Sequence, residues 1–162
     1  MAESKGGEQR SMRFDSPAQE LYLNLWRTYD KLRKIEEDLF ERFELTCQQY
    51  NVLRLLKSSH PEPLPTLTIA ERLVSRAPDI TRMIDRLESM GLTERRRPES
   101  DRRQVLIAIT DAGLKLVQSI AEPLSECHQK QLGHMSDRDI KQLCSLLKAA
   151  RKPHEEQGSS WS

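Results

Sequence analysis

Arginines crowd one short stretch of the chain. Nine consecutive residues hold five of them: Arg95, Arg96, Arg97, Arg102 and Arg103. Only Glu99 and Asp101 oppose them, so the stretch carries a local net charge of +3 in a 162-residue chain whose net charge is +1. A guanidinium forms paired hydrogen bonds with phosphate oxygens and with the acceptor edge of guanine. Basic charge concentrated in this way indicates contact with a nucleic-acid backbone.

A second group of polar side chains lies in the segment before this stretch. Apolar residues recur there at helical spacing and are expected to face inward: Ile80, Met83, Ile84 and Leu87. The candidates for contact with bases or phosphates are their neighbours: Arg76, Pro78, Asp79, Thr81 and Arg82. Arg82 suits guanine or phosphate, or else an intramolecular salt bridge, while Thr81 offers a hydroxyl and a methyl group. Asp79 either accepts from a cytosine amino group or caps the helix, and capping is the favoured interpretation.

Two short helices and a hairpin position these side chains. A helix at 69–74 precedes one that starts near Pro78 and stops at Gly91, a glycine suited to a helix C-terminus. A strand, a charged tip and an alternating second strand at 105–109 follow. This is the pattern of a winged helix-turn-helix, whose second helix enters the major groove of DNA while the wing contacts the backbone or minor groove. The alternative is a charged hairpin that is merely solvated.

Longer helices frame this region. Ser16 and Pro17 suit the start of the first, whose apolar stripe runs to about Glu44. A helix this long in so small a protein is not covered by its own chain, so part of its stripe should meet a partner. Thr46 caps the second helix, and the prolines of the following segment make 60–65 a loop.

Two further helices follow the hairpin. Thr110 and Asp111 cap the first, which Pro123 should kink or divide near Ser119. Ser136 begins the last, which carries an apolar stripe of Ile140, Leu143, Cys144 and Leu147. The predicted fold is therefore mainly α with a small β-hairpin wing.

This pattern predicts the following organisation. Residues 46–110 form the winged helix-turn-helix DNA-binding region, and 16–45 and 111–152 form a discontinuous helical dimerisation region. Residues 1–15 and 153–162 are polar tails expected to be disordered. The predicted dimer interface includes four leucines: Leu21, Leu25, Leu143 and Leu147.

Several classes of protein do not fit the sequence. No apolar run approaches a membrane span, and the first residues lack the apolar core of a signal peptide. Three cysteines without pairing rhythm favour a reducing, cytoplasmic location. The chain has no glycine-rich phosphate loop, nucleophile–base constellation or metal triad, so we expect neither an enzyme nor a bound cofactor or metal.

The chain resembles the MarR family of bacterial transcriptional regulators from about residue 18 to 150. The resemblance rests on Asp85-Arg86-Leu87-Glu88, Gly91-Leu92, Asp101-Arg102-Arg103 and the run from Ile109-Thr110 to Gly113, with Thr46, Gln49 and Tyr50 upstream. Ile109 replaces the usual Leu. Ala77-Pro78-Asp79 replaces the small hydroxyl residues of many members, which leaves the base contacts open.

The resemblance implies an obligate homodimer in which the first helix and the last two interlock with the other subunit. Two winged helices would then read a pseudo-palindromic operator in double-stranded DNA. Such proteins usually repress, and many release DNA when a phenolic or other aromatic compound binds. In the wing, the D-x-R match implies that Asp101 buttresses Arg103 in the minor groove. Arg95, Arg96, Arg97 and Arg102 remain as phosphate candidates, of which strand alternation lets only some face DNA.

Three alternatives stay open at this point. Cys47 lies near a helix N-terminus, which lowers a thiol pKa, so the chain could be a redox-sensing regulator of the same fold. It could also be a winged-helix protein-interaction module without specific DNA binding. Cys127, His128 and His134 invite a zinc site, but their spacing matches no compact zinc motif, and exposed helix positions are the favoured interpretation.

Overall fold

The computed structural model describes residues 14–73, 79–97 and 104–155. It contains six α-helices in these ranges: α1 Pro17–Glu41, α2 Cys47–Ser59, α3 Thr66–Arg72, α4 Ile80–Ser89, α5 Asp111–Leu132 and α6 Asp137–Arg151. It also contains three strands: β1 Leu64–Pro65, β2 Thr93–Arg96 and β3 Leu106–Ile109. The predicted mainly α fold with a small β wing is confirmed. None of the described helices is long and apolar enough to cross a membrane.

The chain divides into two compact units at Lys34, within α1. In the first unit, the Ser16 hydroxyl accepts a hydrogen bond from the Gln19 N–H (3.1 Å), and the side chains of Asp15 and Gln19 also bond. This confirms the predicted helix start. Large apolar side chains of this unit are 46–66% exposed in the single chain: Leu21, Tyr22, Leu25, Trp26 and Tyr29. The stripe is therefore uncovered, as a partner-binding face would be.

The second unit, from residue 35 onwards, contains the hydrophobic core. Its fully buried side chains come from α1 to α5 and from β3: Phe40, Val52, Leu53, Leu56, Ile69, Ile84, Leu87, Ile107 and Ile120. Helix α2 contacts both α5 and β3. Thr46 and Gln49 form a reciprocal capping box that fixes where α2 begins. α4 and β3 are thus both anchored on the same core.

The wing is a three-stranded antiparallel sheet in the order β1-β3-β2. Ile107 pairs with Leu64 on one side and with Arg95 on the other. The prediction that 60–65 is entirely a loop is wrong, because Leu64 and Pro65 pair with β3. Pro65 is tolerated because β1 is an edge strand, where a missing N–H need not break the ladder.

Pro123 was expected to kink or divide this segment near Ser119; helix α5 is continuous, so the division is wrong. A proline removes one backbone hydrogen bond, to the carbonyl four residues earlier, and Ser119 is exposed to solvent there. Val117 and Ile120 before the proline and Cys127 after it are buried. Packing on both sides of Pro123 therefore holds the helix together.

The last helix differs from its prediction in burial. No residue of α6 is buried in the single chain, and Cys144, which belongs to the predicted apolar stripe, is exposed. Leu143 and Leu146 on the same helix are 40% and 61% exposed. A 3-10 turn at Lys152–His154 follows α6. Residues 153–155 of the predicted tail are thus described, and 156–162 lie outside the described residues.

Candidate nucleic-acid interface

Helix α4 presents a polar face to solvent and an apolar face to the core. Ile84 and Leu87 are buried, whereas Thr81 and Arg82 are exposed, as predicted. The Asp79 carboxylate accepts a hydrogen bond from the Arg82 N–H (2.9 Å), which confirms its capping role. Arg76 and Pro78 lie outside the described residues.

Arg86 also belongs to the exposed face of α4, one helical turn after Arg82. Arg86 was not among the residues predicted to contact DNA, although it lies in the Asp85–Glu88 motif. Its spacing from Arg82 was the available signal, because residues four apart share a helix face.

The three described arginines of the wing have different environments. Arg97 is exposed. Arg96 forms an ion pair with Glu94 on the same strand (2.6 Å). Arg95 is directed instead to helix α4, where both of its acidic partners lie. Asp101, Arg102 and Arg103 lie outside the described residues, so the predicted buttress of Arg103 has no description here.

The contacts of Arg95 join strand β2 to helix α4. Its guanidinium donates to Asp85 Oδ1 (2.5 Å) and to Glu88 Oε2, and its backbone N–H donates to Glu88 Oε1 (3.1 Å). The hydrogen bond that the Arg95 guanidinium donates to Asp85 raises the pKa of Arg95 above its ordinary value, against a smaller opposing effect of burial. This cluster was not predictable from local sequence, because the strand register that turns Arg95 towards α4 is set by pairing with β3.

The turn after α4 is tied to the start of α5. Gly91 has a φ of 71°, the left-handed region that favours glycine. The Thr110 hydroxyl donates to the Gly91 carbonyl (2.7 Å) and accepts from the Gly113 N–H (3.1 Å), so one side chain joins both elements. A Cβ on Gly113 would lie 2.3 Å from the Leu92 carbonyl oxygen. The motif that joins Gly91-Leu92 to Thr110 and Gly113 therefore reflects the close approach of two backbone segments, the turn after α4 and the start of α5.

Cys47 is in an environment unfavourable to a thiolate. Burial, followed by the negative charges of Glu36 and Glu37, raises the pKa of the Cys47 thiol to about 11. The expected lowering by the helix N-terminus is therefore wrong, because burial and nearby negative charge outweigh it. Reactive cysteines have the opposite surroundings, so nothing in this environment supports a redox sensor at Cys47.

Cys127 is buried, which corrects its predicted exposure, while His128 and His134 are exposed. Burial raises the pKa of the Cys127 thiol. Across the described ranges, no group of three or more His, Cys, Asp or Glu side chains could hold a metal ion.

A helix with an exposed polar face beside an arginine-bearing wing is the arrangement of a winged helix-turn-helix protein. A sequence model of the MarR family matches residues 45–105. The organic hydroperoxide resistance transcriptional regulator of Bacillus subtilis is 31% identical over 123 residues, which cover 76% of this chain and 81% of that protein. The chain belongs to the MarR family of DNA-binding transcriptional regulators, which are not enzymes.

Solved structures agree with this assignment. The MarR transcription factor from Planctomyces limnophilus is 53% identical, with a TM-score of 0.67 over 85% of this chain and 99% of that one. A MepR–DNA complex from S. aureus is 23% identical (TM-score 0.72; 82% and 97% covered). Bordetella bronchiseptica BpsR, whose DNA binding is described as regulated by 6-hydroxynicotinic acid, is 21% identical (TM-score 0.72; 84% and 99% covered). At these lower identities the last two show a shared fold.

Proposed function

We propose that the chain is a homodimeric repressor that reads a pseudo-palindromic operator in double-stranded DNA. The observation that carries the proposal is the exposed face of α4, with Thr81, Arg82 and Arg86, anchored on the same core as the wing. A helix of this kind fits the major groove, where arginine recognises guanine and threonine contacts phosphate or the thymine methyl group.

The wing supplies sequence-independent contacts in this proposal. Arg97, which is exposed, and Arg102 contact phosphates, and Arg103, oriented by Asp101, enters the minor groove. Arg96 would have to exchange its contact with Glu94 for a phosphate. A surface ion pair contributes less than about 1 kcal/mol, so the exchange costs little free energy. A regulator of genes acts where the DNA is, which is consistent with the expected cytoplasmic location.

Dimerisation is proposed from the apolar side chains that the single chain leaves exposed. Leu21 and Leu25 of α1 and Leu143 of α6 are 66%, 46% and 40% exposed, and Leu147 is half-buried. A second copy would cover them and place two α4 helices about one DNA turn apart, roughly 34 Å. The predicted division into a dimerisation region (16–45 and 111–152) and a DNA-binding region (46–110) belongs to this proposal.

Release by a small aromatic ligand is the regulatory part of the proposal. The relation between BpsR and 6-hydroxynicotinic acid supports it, because that regulator has the same fold. To regulate, a ligand must bind one spacing of the two α4 helices more tightly than another, typically by about 1–3 kcal/mol.

A salt titration separates DNA binding from a protein-interaction function. Binding of the protein to a fluorescein-labelled duplex is followed by anisotropy. With about six phosphate contacts, affinity should fall roughly a thousandfold between about 50 and 200 mM salt. Absence of binding at the lowest salt would contradict the proposal and favour the interaction module.

A further inference from the structure

Arg95 lies in the most basic part of the chain, yet its local charge is not positive. Its guanidinium is bonded to the carboxylates of both Asp85 and Glu88, so the three side chains together carry a net charge of −1. The Arg95 side chain is 30% exposed, less than the 53% of Arg96 beside it. A guanidinium held in this way has little attraction for phosphate, because its acidic partners repel the same anion.

The two acids come from one side of helix α4. Asp85 and Glu88 are three residues apart, a spacing that makes them neighbours on a helix surface. Arg82 and Arg86 are four residues apart and are exposed on another side of the helix. Ile84 and Leu87 face the core. Helix α4 thus has a wing-facing side in addition to its core-facing and solvent-facing sides.

Glu88 makes a second kind of contact with the wing. Glu88 accepts a hydrogen bond from the Arg95 guanidinium, and it also accepts one from the Arg95 backbone N–H (3.1 Å). Strand β2 is at the edge of the sheet, where outward N–H groups have no strand partner. Glu88 therefore fixes the backbone of the wing, and Asp85 and Glu88 together fix its side chain.

We propose that Arg95 is a positioning residue, which locks strand β2 to the wing-facing side of α4 so that helix and strand are presented to DNA together. This inference rests on the proposed DNA binding and assigns Arg95 a role other than the phosphate contact that its sequence position indicates. Asp85 and Glu88 are then needed for DNA binding although they are acids.

The sign of one substitution effect separates the two roles. In the double variant Asp85→Asn/Glu88→Gln, two negative charges near the DNA-binding surface are removed. By charge alone, and by release of Arg95 to contact phosphate, this variant should bind DNA more tightly. If Arg95 positions the wing, the variant should bind more weakly, on the order of threefold to tenfold, since partly exposed ion pairs contribute modestly.

Matched variants complete the experiment. Glu62→Gln/Glu71→Gln removes two exposed acids that do not contact Arg95, so any weakening in this control must be far smaller. Arg95→Lys keeps the positive charge but loses the fork that bonds two carboxylates. If residue 95 contacts phosphate, the Arg95→Lys variant should retain its affinity for DNA. If residue 95 positions the wing, the variant should lose affinity. Binding is measured by anisotropy to an upstream duplex and to a random one, at a temperature where thermal melting shows every variant folded.

The outcomes are distinct. Weaker binding by both Asp85→Asn/Glu88→Gln and Arg95→Lys, without comparable weakening in the control, supports the positioning role. Tighter binding by the double variant, or full affinity of Arg95→Lys, overturns it while the proposed function stands. If the wild-type protein binds neither duplex at low salt, the proposed function itself fails.

Discussion

At the scale of single residues, Arg82 is the side chain on which base recognition should depend most. It is exposed on α4, next to the cap that Asp79 provides. We expect Arg82→Ala to weaken binding to the specific site by about 1–3 kcal/mol and to reduce the preference over random DNA. Arg138→Ala, at an exposed position of α6, is the matched control and should bind normally. An unchanged preference in Arg82→Ala, measured by competition anisotropy, would assign base recognition elsewhere.

Cys47 should react slowly with alkylating reagents. Because its pKa is raised to about 11, first by burial and then by Glu36 and Glu37, little thiolate exists at neutral pH. Its alkylation rate should climb as pH rises towards that value. Glu36→Gln should lower the pKa and speed the reaction, because it removes a negative charge. Iodoacetamide labelling followed by mass spectrometry measures this, with exposed Cys144 as internal reference. Equal rates for both cysteines at neutral pH would contradict the account.

Thr93 should be replaceable with a gain in stability. Its hydroxyl is buried and, among the described residues, has no hydrogen-bond partner. Thr93→Val keeps the shape and removes the unsatisfied group, so the free energy of unfolding should rise by about 1 kcal/mol. Thr110→Val is the matched control with the opposite sign, since that hydroxyl bonds Gly91 and Gly113. Urea unfolding of both variants measures the difference, and a less stable Thr93→Val would refute the explanation.

At the scale of elements, what could be predicted from the sequence is what is decided locally. The caps at Thr46, Asp79, Thr110 and Ser136 each accept a hydrogen bond from the backbone N–H three residues later, and all four begin helices in the structure. What could not be predicted depends on distant partners. Strand β1 exists because Leu64 and Pro65 meet β3, more than forty residues later in sequence.

In the candidate site, too, locally determined features were predictable and those that depend on distant partners were not. The exposed positions of α4 follow from helical periodicity, so Thr81 and Arg82 were predictable. The environment of Arg95 was not, because it depends on the strand register and on the approach of β2 to α4. Burial of Cys127 likewise depends on α5 continuing past Pro123, which local proline rules do not decide.

The junction between α4 and α5 should be sensitive to one methyl group. A Cβ at Gly113 would meet the Leu92 carbonyl oxygen at 2.3 Å and Ile109 Cγ1 at 2.7 Å, and backbone atoms cannot move aside cheaply. Gly113→Ala should therefore lower the free energy of unfolding by about 1–3 kcal/mol, despite the better helix propensity of alanine. Ala112→Ser, one position earlier and exposed, should change it by less than about 0.5 kcal/mol. Thermal and urea unfolding would test this, and a stabilised Gly113→Ala would rule out the close approach.

At the scale of the whole molecule, DNA binding and dimerisation should fail together. Leu21→Glu/Leu25→Glu places charges on the exposed apolar face of α1, which a partner would otherwise bury. We expect monomers by sedimentation velocity and loss of specific DNA binding, because a single winged helix contacts only one half-site. Leu67→Glu, at a leucine that is 70% exposed on α3, is the matched control for oligomeric state and should remain dimeric. Dimers of the α1 double variant would place the interface elsewhere.

In the proposed function, α4 and the wing together read a specific DNA sequence. The most direct test is anisotropy of the purified protein with the duplex immediately upstream of its own gene, at two salt concentrations, with random duplex as competitor. We expect tight binding that weakens as salt rises and survives an excess of the competitor. Binding to the upstream duplex that is no tighter than binding to random DNA, at either salt concentration, would contradict the claim for this operator.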